Sequence, residues 1–283
     1  MNDYKMTVRE VYDRQPESHA RVSVCITNHI IEFVIAEKRS KYLNNYQRVN
    51  GNMYIDKRTG EVREYSNNST INRNRSFTRL RHYVNANFTN QNNEIFLTLT
   101  YSNPQFNRSQ VSIDMKNFWK RFKYRHKTCE YISIFEPHES GAWHIHMLIK
   151  DLKKIYFRIN KKECSKLWKH GGIKILKLKS NDNIGAYFTA LCKFDCLDSE
   201  TGTQNKSDRI KFYPRNSKCF SHSENIRKPI YKTMSYENAI KLVENSNECF
   251  SKTIGIFDDE DTEVNTIYYK QFNSKRGNKG DKK

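Results

Sequence analysis

The period of hydrophobic and polar positions changes several times between residues 72 and 194. Over Asn72–Asn87, Phe77, Leu80, Tyr83 and Val84 recur at three and four residues, which predicts a helix. Ile95–Tyr101 alternates instead, with Ile95, Leu97, Leu99 and Tyr101 on one side and Phe96, Thr98 and Thr100 on the other. That is a strand rich in β-formers, and its threonine face suits a polar site. Ile113–Lys127 returns to the helical period, with Met115, Phe118, Trp119 and Phe122 as its apolar stripe. Cys129–Glu136 and Trp143–Lys150 read as two strands joined by the loop Pro137–Ala142. A helix over Asn160–His170, closed by Gly171-Gly172, a strand over Ile173–Leu178 and a helix over Asn181–Phe194 follow. This interleaving predicts an α+β domain: a central antiparallel sheet with helices on one face, the other face open to a ligand or partly covered by the last helix.

Outside this region the pattern is weaker. Val22–Ala36 predicts one or two strands, and Tyr54–Tyr65 a hairpin turning at Arg58-Thr-Gly60. Asn67–Asn72 reads as a polar linker, Ser235–Glu244 as a short helix and Val264–Phe272 as a strand behind the acidic turn 258–263. Ser274–Lys283 is a basic, Gly-containing tail, expected to be disordered. The expected division is a small β-rich N-terminal extension at 1–69, the main domain at 70–232, an appended helix and strand at 233–273, and the tail at 274–283.

The alternation in Trp143–Lys150 has a chemical consequence. Ile145, Met147 and Ile149 share one face, so His144 and His146 stand side by side on the other. Two imidazoles at this spacing can bind one ion, and the hairpin returns Glu136 close to them. Two ring nitrogens and a carboxylate oxygen suit Mg²⁺, Mn²⁺ or Zn²⁺.

Charge adds a partner. The chain of 283 residues carries 50 Lys and Arg against 31 Asp and Glu, a net charge of +19, with 13% aromatic residues. A basic, aromatic-rich chain suits a polyanion such as nucleic acid. Arg73, Arg75, Arg79 and Arg81 decorate the first helix and are candidates for phosphate contacts. Seven Cys without a Cys-x-x-Cys pair argue for reduced thiols in the cytoplasm and against a disulfide framework or a zinc ribbon. Apolar runs are only strand-length and the N-terminus is polar, so neither a membrane span nor a signal peptide is expected. No Gly-x-x-x-x-Gly-Lys-Ser/Thr loop occurs, so a fused helicase is not expected.

Taken together, three motifs resemble the HUH endonuclease superfamily, in particular the rolling-circle replication initiators of small bacterial plasmids and phages. They are Phe96-Leu-Thr-Leu-Thr100, then His144-Ile-His146 preceded by Glu136-x-x-x-x-Gly141, then Ala186-Tyr-Phe-Thr189 with a Lys downstream. The Arg-rich helix before them and Phe212–Ser217 to Ile226-Arg-Lys-Pro229 after them extend the likeness, which covers Asn72 to about Tyr231. The resemblance implies a ferredoxin-like, RRM-like endonuclease fold. It implies Mg²⁺ or Mn²⁺ on Glu136, His144 and His146, with Tyr187 as nucleophile and Lys193 as its supporting lysine. Trp143, with the arginines of the first helix, would hold single-stranded or hairpin origin DNA. The implied activity is nicking and joining through a 5′-phosphotyrosine, with host helicase and polymerase recruited to extend the free 3′-OH. A transposase or mobilisation relaxase of the same chemistry, or a non-catalytic origin-binding derivative, are the alternatives. One position departs from the pattern. Initiators of this type place a Lys three residues after the Tyr, whereas residue 190 is Ala and Lys193 is the first lysine downstream.

Overall fold

The computed structural model describes residues 7–38, 46–49, 53–57, 60–64, 69–178, 182–190, 211–214, 217–258 and 260–276. They form two compact units. One comprises Ser69–Pro229; the other joins the N-terminal segment to Ile230–Lys283.

The Ser69–Pro229 unit contains α1 (Ser69–Asn87), β7 (Glu94–Leu99), α2 (Arg108–Arg125), β8 (Cys129–Pro137), β9 (Trp143–Asp151), α3 (Lys161–Trp168), β10 (Ile173–Lys177), α4 (Ile184–Ala190) and β11 (Phe220–His222). The strands make one sheet in the order β10-β7-β9-β8-β11, with every neighbouring pair antiparallel. The α+β architecture expected from the sequence is therefore present. Period-two alternation splits the sheet into two faces. On one, α2 and α3 cover Leu97, Ile145, Met147 and Tyr131; Trp119 of α2 lies 4.4 Å from Tyr131 between ring centroids. On the other lie Phe96, Thr98, His144, His146, Leu148, Ile132 and Ile134.

This second face is not bare, as helices confined to one face would leave it. Tyr83 of α1 stacks on His222 at 4.8 Å, and Phe188 of α4 meets Phe96 edge-on at 5.9 Å. The reason is the strand composition: Phe96, Ile132, Ile134 and Leu148 are apolar and fully or nearly fully buried, so this face also needs a hydrophobic cover. Asn107 caps α2, accepting from the backbone N–H groups of Ser109 and Gln110, so the helix starts earlier than its apolar stripe suggests.

In the other unit, β1 (Thr7–Glu10), β2 (Arg21–Ile26), β3 (Ile30–Ala36), β12 (Ile230–Ser235), β13 (Asn247–Phe257) and β14 (Glu263–Asn273) form a six-stranded sheet in the order β1-β13-β14-β3-β2-β12. The 233–273 segment, expected as an appendage of the main domain, supplies β13 and β14 here, and β14 pairs with β3. Helix α5 (Tyr236–Lys241) packs Ala239 against Val22, Val24, Phe33 and Tyr268. A separate three-stranded sheet contains β4 (Tyr46–Arg48), β5 (Met53–Asp56) and β6 (Val62–Glu64), in line with the expected hairpin. Among the described residues no helix is long and apolar enough to cross a membrane.

Candidate functional site

The hairpin of β8 and β9 places Glu136 directly opposite His144 in the register, and His146 opposite Ile134 on one side and Thr98 on the other. Its loop closes through backbone bonds between His138 and Ala142 and between Gly141 and His138. Gly141 sits at φ +84°, which L side chains rarely adopt, and a Cβ there would lie 2.9 Å from the Phe212 ring. Both constraints demand glycine at the turn that delivers Glu136 to the histidines.

Glu136 and His146 touch, with carboxylate Oε2 2.6 Å from ring Nε2. The other ring nitrogen, Nδ1, lies 3.1 Å from Thr98 Oγ1. Thr98, His146 and Glu136 thus form one polar line across three strands. Phe96 stacks on the His146 ring at 5.7 Å with 7° between planes, fixing its orientation. His144 stacks on His138 at 5.7 Å. Glu136, His144 and His146 are each partly exposed, so the polar edge of the face meets solvent.

Among the described residues no three His, Cys, Asp or Glu side chains already converge as a metal-binding group. The donor set nonetheless suits a divalent cation: two imidazoles and one carboxylate lie on one face of adjacent strands. For Nε2 of His146 to hold a cation, its proton must sit on Nδ1, where Thr98 Oγ1 stands ready to accept it. Glu136 would supply the oxygen and His144 the second nitrogen.

Helix α4 is seated on the same face by a polar hinge. Asn85 of α1 accepts from the Gly185 backbone N–H at 2.7 Å and donates to Asn183 Oδ1 at 3.1 Å; Asn183 Oδ1 also accepts from Ala186 N. A Cβ on Gly185 would lie 2.5 Å from the Arg81 carbonyl oxygen, so glycine allows the two helices to touch backbone to backbone. Tyr187 is half-buried on this helix, next to the Phe188 that contacts Phe96. No hydrogen bond joins Tyr187 to Glu136, His144 or His146 among the described residues. Lys193 lies outside the described residues.

The DNA-contact candidates divide. Arg75 and Arg79 are exposed and Arg81 half-buried. Arg73 is buried and bonds the carbonyl oxygens of Ser217 and Pro214 at 2.6 and 2.8 Å, holding that segment in place. Trp143 must be corrected as a stacking platform. It is 2% exposed, its Nε1 donates to the Phe106 carbonyl, and Tyr213 meets its ring edge-on. Alternation also places it on the face opposite His144 and His146, so no nucleobase can reach it in this arrangement.

The sequence reading overlooked Asn85, Asn183 and the role of Gly185, since an Asn in a helix interior and a Gly one turn into another give no local sign that they meet. The threonine face did signal Thr98. Residues 94–193 match the family model of the replication-associated protein ORF2. No curated protein matches the chain. Nor does any solved structure. The matched stretch runs from β7 past α4 and so contains Thr98, Glu136, both histidines and Tyr187: the site described above lies wholly within the segment that is similar to replication-associated proteins.

Proposed function

We propose that the protein nicks and rejoins one DNA strand at a replication origin, with Tyr187 as nucleophile. The observation that carries this reading is the shared face: Glu136, His144 and His146 at one end, with the Tyr187 helix packed onto it through Phe188 and Phe96. The match of residues 94–193 to replication-associated proteins supports the biological setting.

The Tyr187 hydroxyl oxygen attacks the scissile phosphorus in line, and the P–O3′ bond breaks. The tyrosine proton is replaced by the phosphoryl group, and a proton is taken up by the departing 3′ oxygen. The products are a 5′-phosphotyrosine and a 3′-OH. One phosphodiester replaces another, so the strand can be rejoined by the reverse attack. Mg²⁺ or Mn²⁺ bound by Glu136, His144 and His146 would polarise the phosphate and offset its developing negative charge. Thr98 holds the His146 ring in the tautomer this requires, and Phe96 keeps it in plane. Exposed Arg75 and Arg79 on α1 are positioned for phosphate contacts along the strand.

A second reading, an origin-binding protein without cleavage, draws on the direct Glu136–His146 bond and on Ala190 in place of a lysine. One experiment separates the two. The protein is mixed with labelled single-stranded DNA from its own replicon, with Mn²⁺ or EDTA, and run on a denaturing gel. A shifted band that needs metal, Tyr187 and His146 is the expected result. If no fragment yields a band while DNA binding persists, the second reading holds. A band that survives Tyr187→Phe keeps the chemistry and moves the nucleophile elsewhere.

A further inference from the structure

A cleft of about 640 Å³ opens on the opposite side of the sheet, between α2, the β8–β11 edge and the segment around Pro214–Lys218. Its size falls within the range of small-ligand sites, about 300–1,000 Å³. Arg108, Lys116 and Lys218 line it, with the hydroxyl side chains Ser109 and Ser112 between them, and no Asp or Glu among the described residues does.

Arg108 is the unusual member. It is 6% exposed and occupies the buried stripe of α2 with Val111, Met115 and Phe118. One guanidinium nitrogen donates to Ser112 Oγ and another to the Lys218 carbonyl at 2.6 Å, so it ties the two walls together. The guanidinium lies 3.6 Å over the Phe135 ring. Its Nε is buried and has no hydrogen-bond partner among the described residues. Arg73, also buried, bonds the same 214–219 segment through neutral acceptors. Two guanidinium charges are thus buried around one segment, and among the described residues neither is paired with a carboxylate. Burial, with Arg73 adding a like charge, lowers Arg108 to about 10 against the raising influence of Tyr213 and Cys219, so it still carries its charge at neutral pH. A buried cation without a counter-ion is costly, and an anion beside it relieves that cost. The first turn of α2 points its positive dipole end the same way.

We propose that this cleft binds a nucleotide phosphate, held by Lys116, Lys218 and the Ser109 and Ser112 hydroxyls above the Arg108 charge. The site is separate from the Glu136–His146 face and does not depend on strand cleavage. In a bound strand it would seat a phosphodiester on the far side of the sheet; a free nucleotide offers the same group.

Lys116 and Lys218 are exposed, so their removal leaves the core intact. The test measures fluorescence anisotropy of a labelled single-stranded oligonucleotide with the full chain, with Lys116→Ala/Lys218→Ala, and with Lys161→Ala/Lys162→Ala as a charge-matched control on exposed residues of α3. The cleft pair is expected to weaken binding about tenfold and to flatten the log Kd–log salt slope by about 1.4, while the control loses less than about twofold. Calorimetry with 5′-dTMP assigns the source. Binding that the cleft pair abolishes indicates a free-nucleotide site; absence of dTMP binding alongside the oligonucleotide loss indicates a strand phosphate. Equal losses in the cleft pair and the control, with no dTMP binding, would overturn the proposal.

Discussion

At the scale of single residues, position on the helical stripe decides what an arginine does. Arg73 precedes Phe77 by four residues, and Phe77, Leu80, Val84 and Phe88 continue the same buried line. Its charge is therefore turned inward, onto the carbonyls of Pro214 and Ser217. Arg75 and Arg79 lie off that line and face solvent. Arg73→Ala is expected to cost about 2–4 kcal/mol in chemical denaturation, because two buried carbonyl oxygens lose a charged donor. It should leave the salt dependence of DNA binding largely unchanged. Arg75→Ala/Arg79→Ala should do the reverse, with unchanged stability and a shallower salt slope in the same anisotropy assay. The spacing that separates the two classes is visible in the sequence, though the four arginines read there as one cluster.

At the scale of elements, the α1–α4 contact is the most sensitive joint of the candidate site. Gly185 packs against the Arg81 carbonyl, and Asn85 bonds its N–H. A methyl group there meets backbone, which cannot swing aside as a side-chain tip can. Gly185→Ala is expected to destabilise the fold by about 1–3 kcal/mol, as overpacking does. It should also lower covalent-adduct formation more than DNA affinity, because it displaces the helix that carries Tyr187. A variant with full adduct yield and unchanged denaturation midpoint would contradict this account of the joint. The hairpin of β8 and β9 is the opposite case: its register and loop were readable because alternation, Gly141 and the strand composition all agree.

At the scale of the whole molecule, charge sets the response to acid. Burial would raise the pKa of Asp151, but hydrogen bonds from Thr128 and the backbone N–H groups of Lys153 and Lys154 outweigh it, and the group is held below its usual range. Glu130 is likewise lowered, burial being outweighed by hydrogen bonds from Lys123, Ser223 and Asn225. A carboxylate with a depressed folded pKa contributes stability that is present above its unfolded pKa, about 4, and is lost as pH falls through the folded value. With a net charge of +19 at neutral pH, protonating further carboxylates also adds self-repulsion. Thermal stability is expected to be flat from pH 7 to about 5 as far as these two groups are concerned, and to fall below about 4. Asp151→Asn should be less stable at pH 7 and should lose less on acidification, as followed by circular dichroism melts across pH.

What the sequence determined by itself is what depends on local period and turn chemistry: the α+β class, the main strands and helices between residues 72 and 178, the pairing of His144 with His146, and the return of Glu136 across a Gly141 turn. Residues two apart on a strand must share a face, so this much needs no tertiary information. The tertiary structure decided what lies above each face. Local pattern does not say which helix covers which side, and so the apolar residues that share the histidine face pointed to a cover without identifying α1 and α4 as its source. Nor did it show that β13 and β14 complete a sheet begun more than two hundred residues earlier, because strand pairing across that distance leaves no periodic trace. Trp143 and Arg108 illustrate the same limit. Each looks suited to nucleic acid by residue type, yet burial turns one into core and makes the other an uncompensated charge beneath a cleft, since exposure depends on what the rest of the chain packs over a side chain.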